Sequence, residues 1–158
     1  MSPARHAAFF LISVIALTLG ATSCAPATSA TPTGGSPLPA SIVDPYLKIQ
    51  TALAADSVDG VRANAGDLAT AVTALGSPAF KIATAATTLT SAGELDDARQ
   101  KFGTLSDAIV TYMDGLHLTL PDGVRVATCS TVPKPWLQAG DAIANPYTGP
   151  SSPCGAFR

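Results

Sequence analysis

Between residues 58 and 116 the apolar side chains recur every three or four positions, and this spacing limits the chain to a fold made of packed amphipathic helices. Val58, Val61, Ala65, Leu68, Val72 and Leu75 form one such series. Leu95, Ala98, Phe102, Leu105, Ile109, Tyr112 or Met113, and Leu116 form a second. A period near 3.6 places each series on one face of a helix. Ser91, with Glu94 three residues later, has the spacing of a capping box at the start of the second series. Ahead of these, Ile42 or Val43, Tyr46, Ile49 and Leu53 outline a shorter helix, and Ser77-Pro78 reads as the cap and first residue of another running to about Leu89. Each helix has a single apolar stripe, so none is stable alone. Short links between neighbours then predict an all-α fold, an up-down four-helix bundle. Gly66 and Gly103, which weaken their helices by ~1 kcal/mol each relative to alanine, are expected where neighbouring backbones approach closely.

The chain after Leu116 reads differently. Leu118-Thr119-Leu120 and Val124-Arg125-Val126 flank the turn signal Pro121-Asp122-Gly123, so a short hairpin is expected there. From Cys129 onward Pro133, Pro135, Pro146, Pro150 and Pro153 exclude long regular elements. Trp136, Leu137, Ile143, Tyr147 and Phe157 are too apolar for a free tail. The expectation is an irregular tail, residues 117–158, packed on the bundle.

The N-terminus reads as a targeting signal. Arg5 precedes an almost unbroken apolar run from Phe9 to Leu19, too short for a comfortable membrane span of ~20 residues. Leu19-Gly20-Ala21-Thr22-Ser23-Cys24 resembles a lipobox, the bacterial lipoprotein signal whose cysteine accepts a diacylglycerol before cleavage. Residues 1–23 are then a signal peptide and Cys24 the lipidated first residue of the mature chain. The alternative is ordinary cleavage near Ala21 or Ala25, which leaves a free thiol. Pro26, Pro32, Gly34, Gly35, Pro37 and Pro39 lie among Ser and Thr, so 24–40 reads as a tether and 41–158 as the domain.

Charge and motifs exclude several functions. The 158 residues are 47% hydrophobic and 13% charged, with a net charge of -2 and no Lys/Arg run, so a nucleic-acid partner is not expected. There is no G-x-S-x-G, no H-E-x-x-H and no phosphate-cradling glycine loop. Removal of the signal, with His6, leaves His117 alone to serve as a base, so no catalytic residue is assigned and the protein is not read as an enzyme. Glu94, Asp96 and Asp97 sit where they favour a helix dipole.

Cys129 and Cys154 are the chemically loaded residues. In an exported protein they read most simply as a disulfide, which would close a loop of ~26 residues and contribute roughly 3–4 kcal/mol. The sharper reading keeps them as thiolates and, with His117 or Met113, has them hold a soft cation such as Cu(I) or Ag(I). No cofactor is required under the first reading.

Cys129, Pro135-Trp136-Leu137-Gln138, Ile143-Ala144-Asn145-Pro146-Tyr147-Thr148-Gly149 and Cys154-Gly155 together resemble the C-terminal signature of a known bacterial family. Tyr46-Leu47-Lys48 to Asp56-Ser57, Arg99 to Phe102, and Leu105-Ser106 fit its helical part. The family is a domain of unknown function, found as exported lipoproteins and as a C-terminal extension of periplasmic adaptor subunits of copper/silver-type efflux systems. The resemblance implies heavy-metal traffic and an efflux or other envelope partner for a membrane-anchored periplasmic or cell-surface accessory domain. The chain departs from the family at Ser130-Thr131 and Ser151-Ser152-Pro153, where the family carries soft methionine ligands. The competing reading is a disulfide-stapled interaction module with no metal role, in which Trp136, Asn145, Pro146, Tyr147, Gly149 and Gly155 fasten the tail to the bundle. A thiol redox enzyme is a third reading, with nothing beside either cysteine to lower its pKa.

Overall fold

A computed structural model describes residues 34–152 and 154–158. The segment read as a signal peptide, Cys24 and the first part of the expected tether lie outside the described residues. The apolar stripes form four helices, α1 (Ala40–Ala54), α2 (Val61–Val72), α3 (Phe80–Leu89) and α4 (Leu95–Leu116). Two single 3-10 turns, Thr73–Leu75 and Ser77–Ala79, join α2 to α3. Ile42, Tyr46, Ile49 and Leu53 of α1 meet Ala65 and Leu68 of α2, Ile82 and Leu89 of α3, and Phe102, Leu105 and Ile109 of α4 in one buried core. Among the described residues no helix is long and apolar enough to cross a membrane.

The all-α expectation is overturned. Three strands, β1 (Val124–Thr128), β2 (Trp136–Ala139) and β3 (Ala156–Phe157), form an antiparallel sheet in the order β2-β1-β3, so the domain is mixed α and β. Val126 pairs with Leu137, and Ala127 pairs with Trp136 on one side and Phe157 on the other. The expected hairpin around Pro121-Asp122-Gly123 is therefore not the one that forms. Val124–Thr128 pairs forward, and Thr119 instead makes a parallel bridge to Pro37. The prolines still act as expected, since Pro133 and Pro135 precede β2 and Pro146 and Pro150 separate β2 from β3. They limit strand length without forbidding strands.

The sheet completes the bundle as well as covering it. Consecutive helices pack on one another, but α4 touches α1 far less than it touches α3, and β2 packs on both α1 and α4. Trp136, Leu137 and Gln138 are buried in succession. An edge strand exposes unpaired N–H groups. Here the buried Leu137 N–H donates to the Tyr46 hydroxyl of α1 at 3.1 Å, and that hydroxyl also shares a 2.6 Å hydrogen bond with Ser106 of α4.

Local details differ from the sequence expectations in three places. Ser91 and Glu94 form no capping box: Glu94 precedes α4 without a side-chain cap, and Ser91 donates to Thr88 O. Asp97 takes over part of that role, accepting from Gly93 N–H at 3.2 Å and from Lys101 at 2.8 Å. These bonds, the Lys101 one foremost, hold its carboxyl below the usual range. At Gly103 the close neighbours are Lys134 and Tyr147 of the tail, while Gly66 has only a methyl of Thr90 at 4.0 Å, so neither marks a close helix–helix backbone approach. The last tether residues belong to the domain, since Leu38 is buried in the core.

Candidate functional site

The tail carries the polar groups that a binding site would use, so their partners decide what the site can do. Trp136 is fully buried, and its indole N–H donates to Gln138 Oε1 at 3.1 Å. Gln138 Oε1 also accepts from Ala144 N–H at 2.9 Å, and its amide nitrogen donates to Ala142 O. From α1, Gln50 Nε2 donates to Ala144 O at 2.7 Å. Asn145 is 1% exposed and bonds at both ends: Nδ2 donates to Cys154 O at 2.7 Å, and Oδ1 accepts from Tyr147 N–H at 2.8 Å. A buried amide with both ends bonded fixes the chain on either side of it. Asn145 thereby ties the Pro146-Tyr147 turn to the second cysteine.

Tyr147 continues the chain of contacts. Its hydroxyl donates to Pro135 O at 2.9 Å, and its ring meets Trp136 edge-on at 5.9 Å and Phe102 of α4 at the same separation. Burial pushes its phenol well above the ordinary tyrosine pKa, and burial does the same to Tyr46. Pro146 O accepts from Arg99 Nε at 2.9 Å. Arg99 also donates to Leu53 O at the end of α1 and pairs with Asp56. One guanidinium thus joins α1, α4 and the tail.

The two tail glycines are required by space. Gly149 has φ +68°, and a Cβ there would overlap the Asp56 carboxylate. At Gly155 a Cβ would lie 2.8 Å from Trp136 Cη2 and 2.9 Å from Ile143 Cγ2. Both positions lie where the tail is pressed against another segment.

Cys129 and Cys154 are joined in a disulfide, with Cα atoms 5.6 Å apart. Cys129 is buried at the end of β1, and Thr131 Oγ1 lies 3.0 Å from its sulfur. The bridge fastens β3 beside β1. His117 is elsewhere: it ends α4 in the left-handed conformation, φ 52°, with its carbonyl accepting from Gly35 N–H at 2.9 Å. Met113 is part of the core. Among the described residues no three His, Cys, Asp or Glu side chains gather as a metal-binding group, so His117 is not brought to the cysteine pair. Cys24, the lipidation candidate, lies outside the described residues.

Trp136, Asn145, Pro146, Tyr147, Gly149, Gly155 and the two cysteines are therefore brought together, as one latch. Sequence reasoning assigned no role to Gln50 and Gln138, which hold the loop between β2 and Asn145. The signal for Gln50 was a polar residue beside Ile49 and four residues after Tyr46, within the apolar stripe of α1. For Gln138 it was an amide directly after Trp136-Leu137. No protein-family model matches the chain, and no match was found among curated proteins or solved structures.

Proposed function

We propose that this is a non-enzymatic, disulfide-stapled interaction module of the cell envelope, held at the membrane by lipid on Cys24. The observation that supports it is the use already made of the tail's chemistry. The indole, amide and phenol groups of the latch are bonded within the domain, and the two sulfurs bond each other. Groups so engaged hold a surface in shape and are not left to receive a ligand. The partner is then an envelope protein that reads the outside of the domain, and the family resemblance makes an efflux adaptor assembly the first place to look. Heavy-metal handling by the domain itself is the second reading. It needs Cys129 and Cys154 reduced, when two adjacent thiolates would suit Cu(I) or Ag(I).

A thiol count by mass spectrometry on the exported chain, before and after reduction, tests both readings together with the anchor. The expected result is no free thiol before reduction, two after it, and a lipid mass on Cys24 that reduction leaves in place. Two free thiols without reduction, and one tightly held Cu(I) lost in Cys129→Ser and Cys154→Ser, would replace the interaction module with a metal carrier. An unmodified Cys24 would remove the anchor from the reading.

A further inference from the structure

Charge is spread unevenly along this chain. From Leu68 to Gly93 the only charged residue is Lys81, although Asp67 precedes the stretch and Glu94, Asp96 and Asp97 follow it. The stretch holds the end of α2, both 3-10 turns and the whole of α3. Phe80, at the start of α3, has 70% of its surface exposed among the described residues. It does not stand alone. A trough of about 440 Å3 between α3 and the end of α4 joins it to Pro78, Ile82, Tyr112 and Leu116, and Lys81 is the one charged residue in its lining. Lys81 has no ion-pair partner among the described residues, whereas Asp107 and Asp114 of α4 are taken up by Lys134 and Arg158. A contiguous apolar patch carrying one unpaired cation and no carboxylate marks an interaction surface, and its charge suits an anionic partner.

The described chain begins at this same end. A Cβ at Gly34 would lie 3.2 Å from Leu116 O, and Gly35 N–H donates to His117 O at 2.9 Å. Leu116 lines the trough, so Gly34 and Phe80 share the C-terminal end of α4. Nine residues separate Gly34 from Cys24. A chain of that length reaches at most ~35 Å, about the diameter of a small domain. The start of α4, with Asp96 and Asp97, lies about 33 Å further along the helix at 1.5 Å per residue. A lipid on Cys24 therefore keeps the Phe80 end of the domain, and not the acidic end, within easy reach of the bilayer.

We infer that the Phe80-Lys81 end of this trough is a membrane-contact surface, with the Phe80 ring among the lipid head groups and the Lys81 ammonium against their anionic phosphates. The inference rests on the lipid anchor proposed above. Aromatic rings favour the boundary between water and hydrocarbon, and a lysine is drawn to an anionic bilayer. One ring and one ammonium are too little to hold a free domain, but an anchor makes their contact intramolecular and raises its effective concentration. The contact then orients the domain, turning the acidic start of α4 away from the anionic head groups.

Paramagnetic broadening by lipid tests it, on the whole 15N-labelled chain in nanodiscs of phosphatidylcholine and phosphatidylglycerol in equal parts, doped with a gadolinium-headgroup lipid. Mass spectrometry of the same sample reads the lipid on Cys24. The expected result is a selective loss of amide signal at Gly76, Phe80, Lys81 and Leu116, with the signals of Glu94, Asp96 and Asp97 retained. Phe80 and Lys81 are both exposed, so the double variant Phe80→Ser, Lys81→Ser keeps the core. It should spread the loss evenly over the surface while the amides of α1 and β1 stay in place. Even loss over all exposed amides of the unaltered chain, or selective loss that survives in the double variant, would overturn the inference and leave the lipid on Cys24 standing. Spared amides at Phe80 and Lys81 would do the same and assign the trough to a second copy or to another segment of the chain. Absence of a lipid mass on Cys24 would remove the anchor, and this inference with it.

Discussion

Asn145 is the most informative residue to change, because its two hydrogen bonds define what it contributes. Asn145→Ala would leave Cys154 O and Tyr147 N–H without their present partners. A buried group stripped of its partner costs ~1–3 kcal/mol, and because both bonds are only part-buried the expected loss for the two together is about 2–4 kcal/mol. Small domains are stable by only ~5–15 kcal/mol, and such a loss is easily measured. The single tryptophan, Trp136, is buried beside the latch, so urea unfolding followed by its fluorescence reads the right region. Asn145→Asp sharpens the test. Its carboxylate could still accept from Tyr147 N–H, but its other oxygen would face Cys154 O in a buried site. Burial and that carbonyl raise the folded pKa above the unfolded value of ~3.9. The folded state then binds more protons, so stability falls as pH rises. The Asp variant should be weakest relative to the parent near pH 7 and recover as pH drops through the raised folded value, when the protonated acid donates to Cys154 O. A loss under about 0.5 kcal/mol for Asn145→Ala, or a pH-independent deficit for Asn145→Asp, would refute the role given to this amide.

Three further outcomes are expected. Replacing Cys129 and Cys154 by serine should cost roughly 3–4 kcal/mol by loop entropy for a separation of 25 residues, and should make the chain beyond Pro150 the first site of limited proteolysis. Gly149→Ala should cost about 1–3 kcal/mol in thermal unfolding from its positive φ and the Asp56 overlap, and the Asp56→Ala, Gly149→Ala pair should cost less than the sum of the singles. All three tyrosines, Tyr46, Tyr112 and Tyr147, have phenols raised by burial. Above the unfolded value of ~10 the unfolded chain ionises first and stability falls, so phenolate absorbance should rise together with loss of the folded Trp136 signal.

Arg99 joins Leu53, Asp56 and Pro146, so its substitution should couple to changes at Asn145 and Gly149.

What the sequence by itself determined was the helical part and the stock of chemistry in the tail. Four helices were legible because residues three and four apart meet on one face, a relation that local spacing contains. The disulfide was legible as one of three options, since two cysteines in a chain read as exported have few fates. The sheet was not legible. Its strands hold five, four and two residues, Trp136-Leu137-Gln138 is buried throughout with no alternation, and Ala127 finds its partners at Trp136 on one side and Phe157 on the other. Such pairings follow from where the bundle leaves space between α1 and α4, a property of the assembled helices. The same holds for the capping at Asp97, the neighbours of Gly103 and the amides of Gln50 and Gln138. Each depends on a group brought close only by folding, and only the tertiary structure decided them.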